Sequence, residues 1–211
     1  TSQVAALPAG KVELVIVNNA STDGTAEYLD SLPAKFPCIR VLHNPANLGF
    51  DGNTVKCLEY SAGEYTALLS DDDRYLDGTV TYILNVIASG PFSLIYLNYY
   101  GFLTDPVKPS GYAIPGETNR RFATGADIMR EQGVGHYSGF VYRSELAKQA
   151  LKVAMERRPE ITGTRSRCIF LEVAFRATRD SGLPAFLTGK RLFAAKTDNP
   201  AGEPYLTLTH L

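Results

Sequence analysis

Three adjacent acids, Asp71, Asp72 and Asp73, follow the apolar pair Leu68-Leu69. Like charges this close repel one another and cost stability unless solvent or a cation screens them. In extended chain, Asp71 and Asp73 project to one side and Asp72 to the other. Hard divalent cations take oxygen ligands, and magnesium-like ions use one or two carboxylates, completing their shell with water and substrate phosphates. The cluster therefore suits a divalent metal, Mn2+ or Mg2+, that carries a diphosphate; the plain alternative is a solvated acidic loop. A second polar run, Asn18-Asn19-Ala20-Ser21-Thr22-Asp23-Gly24-Thr25, closes another apolar stretch, Val12 to Val17.

The elements that must position these runs follow from the pattern. Val12 to Val17 is short, β-branched and almost wholly apolar, which predicts a strand covered on both faces. Asp23 or Thr25 caps a helix carrying Tyr28, Leu29 and Leu32, which Pro33 and Pro37 end. Cys38 to His43 reads as a second strand. Asn47-Leu48-Gly49-Phe50 leads into a helix from Asp51 to about Ala62, stopped by Gly63. Tyr65 to Leu69 is a third strand, and Val80, Ile83, Leu84 and Ile87 mark a helix over Leu76 to Ala88. Such alternation predicts an α/β fold with a mostly parallel, doubly wound sheet and helices on both faces. In such sheets ligands collect where strands end, so both polar runs are expected to face one ligand.

Beyond Gly90 the rhythm loosens. Ser93 to Phe102 is an aromatic-rich strand, and the proline-rich stretch Thr104 to Thr118 reads as a loop or lid. Arg121 to Gln132 is expected to be helical, Tyr137 to Arg143 strand, Glu145 to Arg158 helix, Cys168 to Asp180 helix and Phe186 to Ala195 strand. At the other end, Thr1 to Leu7 looks like the fading end of a helix that Pro8 to Gly10 breaks. A doubly wound sheet rarely opens that way, so an earlier strand and most of a helix are expected to be absent.

Composition narrows the partners. The 211 residues suffice for one large α/β domain. With 21 Lys and Arg against 22 Asp and Glu, a net charge of -1 provides no footprint for nucleic acid. Cys38, Cys57 and Cys168 lie far apart without metal-ligand spacing, which predicts free thiols rather than a disulfide framework or zinc site. No apolar run reaches the length of a membrane span and the start lacks a signal-peptide plan, so the chain reads as soluble.

Three blocks together carry a resemblance: Val15 to Thr25, Asn47 to Phe50 with Asn53, and Gly63 to Asp73. In this order and spacing they resemble the nucleotide-binding half of family 2 glycosyltransferases with the GT-A fold, in particular abequosyltransferase-like members. The resemblance covers about residues 11 to 90. It implies a donor-binding half, residues 1–90, and an acceptor-binding half, residues 91–211, of a single domain. The nucleotide sugar would meet Asn18, Asn19, Ser21, Asp23, Asn47, Gly49, Asn53, Asp71 and Asp72. Asp71 to Asp73 match the family's metal and ribose motif, two acids one residue apart, with Asp73 and Asp71 on the metal.

The resemblance further implies an inverting transfer of sugar from a nucleoside diphosphate to an acceptor hydroxyl, in polysaccharide or glycolipid assembly. The acceptor is a saccharide or lipid-linked, and the expected setting is cytoplasmic, with peripheral association at the inner face of the membrane. Asn18 stands where the family has a base-binding aspartate; a side-chain amide can donate and accept, which suits a cytidine donor. The expected base is Glu172 in Phe170-Leu171-Glu172-Val173, with Asp127 in reserve, although Val173 replaces the family's second acid. Tyr137 and Ser138 are expected to line the acceptor pocket. Two alternatives remain: a nucleotidyltransferase that makes the sugar nucleotide, and an inactive sugar-nucleotide-binding module.

Overall fold

A computed structural model of the chain describes residues 2–112, 116–132, 135–157, 169–179 and 181–197. Cys168, the arginines of the 158–168 segment, Asp180 and the tail from Asp198 lie outside the described residues.

A short helix, α1 (Ser2–Ala5), precedes β1 (Leu14–Asn18), whose β-branched residues form the expected strand. Gly24, at φ 83, turns the chain into α2 (Thr25–Asp30), and α3 (Leu32–Lys35) follows directly. β2 (Ile39–His43) pairs with β1 in parallel, from Leu14 opposite Ile39 to Asn18 opposite His43. Leu29, Leu32 and Ile39 form the small core under this pair. Then come α4 (Gly49–Tyr60), β3 (Tyr65–Ala67), β4 (Arg74–Tyr75) and α5 (Thr79–Ala88). The last starts three residues later than expected, because Gly78 takes a left-handed turn at φ 81.

The second half supplies β5 (Leu94–Phe102), β6 (Gly111–Tyr112), β7 (Arg120–Phe122) and α6 (Gly125–Gln132). A 3-10 turn at Tyr137–Gly139 leads into β8 (Phe140–Arg143), and α7 (Ser144–Arg157), α8 (Ile169–Arg179) and β9 (Ala185–Lys196) complete the chain. Two expectations change here. Arg121 and Phe122 are strand, paired with β9, and the helix waits for the Thr124–Asp127 cap. Part of the expected lid is a hairpin, with Ser110 N bonded to Gly101 O and β6 paired to β5.

The larger sheet runs β3-β8-β5-β9-β4, with β6 on β5 and β7 on β9. Only β1/β2 and β5/β9 are parallel among the described strand pairs; the others are antiparallel, so the sheet is mixed rather than mostly parallel. The α/β fold is as expected, but the strand directions differ, for a physical reason. β5, β8 and β9 are buried on both faces, and a strand so covered reads as an apolar run whichever way its neighbour points. The helices do cover both faces. Leu94 and Tyr96 of β5 join Phe140, Tyr142 and the helices α4, α6, α7 and α8, whereas Ile95 and Leu97 face the core that α5 covers with Ile83 and Val86.

The β1/β2 pair makes no strand pairing to the larger sheet among the described residues. Side chains tie the pair to α4 and the residues just after it instead: Glu13 Oε1 accepts from Ala62 N at 2.8 Å, and Asn53 Nδ2 of α4 donates to Val17 O at 3.4 Å. Arg40 of β2 also donates to the Tyr60 carbonyl.

Candidate functional site

The acid cluster does not continue the strand. Asp73 N bonds back to Ser70 O at 3.3 Å, so Asp71 and Asp72 sit in a turn, and the shared projection expected of extended chain is lost. Asp71 and Asp72 are exposed, whereas the Asp73 side chain is only 1% exposed. Asp72 Oδ1 accepts from Ser70 Oγ at 2.6 Å. Asp73 Oδ2 accepts from Ser138 Oγ at 2.5 Å, and Oδ1 accepts from Lys196 N at 2.8 Å. Two segments of the second half thus orient the one inward acid of the Asp71–Asp73 cluster.

His136 completes this corner. Its Nδ1 is buried without a hydrogen-bond partner and lies 3.5 Å from Asp73 Oδ2, while its ring packs 4.9 Å from Tyr99 and 5.4 Å from Phe193. Burial pushes the Asp73 carboxyl above its usual range, against the pull of His136, Ser138 and the Lys196 amide. Burial also lowers the His136 imidazole, against the attraction of Asp73. Ser138, expected in an acceptor pocket, has no exposed surface; its hydroxyl donates to Asp73 and accepts from Ser70 N at 2.8 Å, fixing the acid turn. Tyr137 packs edge-on against Phe50 at 5.1 Å and Phe170 at 5.4 Å, and its hydroxyl meets the side chains of Thr54 and Cys57.

The asparagines at the end of β1 form a network. Asn19 Oδ1 accepts from Leu48 N at 2.9 Å and Asn44 Nδ2 at 3.1 Å, while its Nδ2 donates to Asn47 Oδ1 at 3.0 Å and Gly49 O at 3.3 Å. Asn44 Nδ2 also donates to Asn53 Oδ1 at 2.9 Å. Asn18 Oδ1 accepts from Ser21 N at 3.1 Å, and its Nδ2 lies 3.0 Å from His43 Nδ1. A carboxamide nitrogen only donates, so Nδ1 accepts and Nε2 carries the proton toward Asp30 Oδ1, 2.9 Å away. Asn18, Asn19, Asn47, Gly49 and Asn53 lie together at the end of β1, where their polar atoms mainly tie β1, β2 and α4 to one another. Asp23 Oδ1 accepts from Thr25 N and Oγ1, which lowers its pKa, and so holds the turn before α2. His43 and Asn44 were missed because a histidine ending a strand and an asparagine before proline read as ordinary loop chemistry.

The two candidate bases differ in situation. Asp127 Oδ2 accepts from Thr124 N at 3.0 Å and Oγ1 at 2.9 Å while Asp127 N bonds back to Thr124, a reciprocal cap that opens α6. That role accounts for the reserve candidate without chemistry. Glu172 lies in the first turn of α8, its side chain 16% exposed, and Oε1 accepts from Arg176 Nε at 3.0 Å and an Arg176 terminal nitrogen at 2.8 Å. Val173 beside it is fully buried in the core, so a second acid at that position has no room for its charge.

Among the described residues no group of three or more His, Cys, Asp or Glu side chains is arranged to cage a metal. A cation that needs one or two carboxylates and takes its remaining ligands from water and phosphate does not require such a cage. The site fits that kind of ion: Asp73 is pre-oriented, Asp71 is open to solvent, and a buried imidazole nitrogen without a hydrogen-bond partner faces Asp73.

Comparison with known proteins agrees with this architecture. The profile of the family described as glycosyl transferase family 2 matches residues 1–150. Uncharacterized proteins of Mycobacterium tuberculosis and Mycobacterium bovis are each 34% identical over 67 residues, 31% of this chain and 19% of theirs. The chain therefore matches about a fifth of the length of these curated relatives. The crystal structure of TarS 1-349 from S. aureus superposes with a TM-score of 0.66 at 14% identity, over 92% of this chain and 55% of that one. Its complex with UDP-GlcNAc gives 0.68 at 14% identity, over 100% and 56%. These likenesses establish the GT-A type of α/β fold, and the match over residues 1–150 establishes that the chain belongs to glycosyl transferase family 2.

Proposed function

We propose that this domain transfers a sugar from a nucleoside diphosphate to an acceptor hydroxyl with inversion, in polysaccharide or glycolipid assembly at the cytoplasmic face of the membrane. The observation that carries the reading is the geometry of Asp73. It is a buried carboxylate at the end of the donor half, held by Ser138 and Lys196 of the acceptor half. Asp73 and Asp71 would hold Mn2+ or Mg2+, which when bound neutralises the charge of the departing diphosphate. Glu172, fixed by Arg176, takes the proton from the attacking hydroxyl.

The donor is a nucleoside diphosphate sugar, and uridine donors are the first to test, because TarS has been crystallised with UDP and with UDP-GlcNAc. The cytidine preference suggested by Asn18 is less favoured, since its amide is already engaged by Ser21 and His43. Release of nucleoside diphosphate is the test. Metal-dependent release that is lost in Asp73→Asn supports the reading. Donor binding without turnover favours an inactive binding module, for which Val173 in place of a second acid speaks, and exchange of pyrophosphate into nucleoside triphosphate points to a nucleotidyltransferase.

A further inference from the structure

We infer that Asp51 is a positioning residue that ties the donor-side helix α4 to the first turn of α8, the helix that presents Glu172; the inference rests on the transferase reading above. Asp51 stands in the first turn of α4, between Asn47 and Asn53, both of which belong to the network at the end of β1. An acid there ordinarily faces solvent and interacts with the dipole of its own helix. Asp51 is instead fully buried, and its Oδ1 accepts from Ile169 N, the first amide of α8, at 3.2 Å.

A carboxylate withdrawn from water is tolerated only where donors and positive charge replace the solvent. The N-terminal end of α8 offers both, as amide donors and as the positive end of the helix dipole. The contact itself is shielded, since Asp51, Ile169 and Phe170 are all buried and Tyr137 packs edge-on against Phe170, so it is poorly screened by solvent. Glu172 is in the same turn of α8 that Asp51 holds. The register of α8 against α4 therefore sets where the Glu172 carboxylate stands relative to the donor loop. Asp51 touches no reacting atom, so its loss should act on turnover rather than on donor affinity.

The test uses the full chain with a UDP-sugar and Mn2+, comparing Asp51→Ala with Asp51→Asn, whose carboxamide oxygen can still accept from Ile169 N. Asp51→Ala should lower kcat for transfer about 10- to 100-fold, the scale of an ångström's misplacement, with the donor KM within about twofold of wild type. Asp51→Asn should recover most of that loss. In parallel, amide hydrogen exchange at the start of α8 should accelerate in Asp51→Ala and stay near wild type in Asp51→Asn, with α7 unchanged. An unchanged kcat in Asp51→Ala, a donor KM that rises in step with the fall in kcat, or equal impairment of both variants overturns the inference. If Asp51→Ala does not fold, Asp51→Asn decides: a protected Ile169 amide with near-normal kcat supports the tie, and a lost amide protection refutes it. Absence of transfer by the wild type overturns the transferase reading, and the exchange data then separately accept or reject the tie between the helices.

Discussion

Ser138 Oγ donates to Asp73 Oδ2 at 2.5 Å while accepting from Ser70 N at 2.8 Å, so one hydroxyl fixes both ends of the acid turn. Removing it leaves a buried carboxylate and a backbone amide each without that partner. Ser138→Ala should cost about 1–3 kcal/mol of stability, the usual penalty of an unmet buried polar group. It should also weaken metal-dependent donor turnover. Denaturant midpoints together with nucleoside diphosphate release check both effects, and a variant with wild-type values in both would dissociate Ser138 from the site.

Asp73→Asn halves the acceptor capacity at the corner where Ser138 and the Lys196 amide converge. Donor turnover in the presence of Mn2+ should fall at least about 100-fold, the scale of losing a principal electrostatic contact in the transition state. Chelation by EDTA should produce a similar fall in the wild type and little further loss in the variant. Full activity in EDTA would remove the cation from the proposal.

Burial holds His136 below its ordinary value of 6.5, and the neighbouring Asp73 carboxylate partly offsets that depression. Because the folded imidazole resists a proton that the unfolded one accepts, its contribution to stability is present above 6.5 and is lost as pH falls through the lower folded value. In metal-free protein, NMR titration should place His136 below 6.5. Asp73→Asn should move it lower still, since the carboxylate that favours the imidazolium is gone. An upward shift in that variant would contradict the assigned cause.

Asn19 makes four hydrogen bonds that join the end of β1 to the entry of α4. Asn19→Ala should destabilise the domain by about 2 kcal/mol, as several modest bonds are lost and Asn44 loses one partner. It should also raise the donor KM by loosening the loop at Leu48 and Gly49. Thermal melts and donor saturation curves would show whether the two effects appear together.

Val173→Asp places beside Glu172 the second acid that the family resemblance leads one to expect, but at a position with no solvent exposure. Burying an unpaired carboxylate there should cost about 3 kcal/mol or more and yield no gain in turnover. A folded, more active variant would show that α8 can turn this position toward the site.

The amino-acid order was enough to locate most strands, the helix faces and the three acids, because each rests on local chemistry, but it read Arg121 and Phe122 as helix where they form β7. β-branched runs read as strands, apolar residues at helical spacing read as a buried face, and polar runs after strands mark the edge where ligands gather. Position along the chain could not tell which acid turns inward. Asp73 is selected by Ser138 and Lys196, 65 and 123 residues away, and by a turn that breaks the alternation assumed for extended chain. Nor could it reveal that β8 runs antiparallel to β5, since strands buried on both faces carry the same apolar pattern in either direction. Asp51 shows the limit most clearly. Its sequence context is that of a solvent-facing acid in a helix's first turn, and only the packing of α8, 118 residues on, makes it a buried cap.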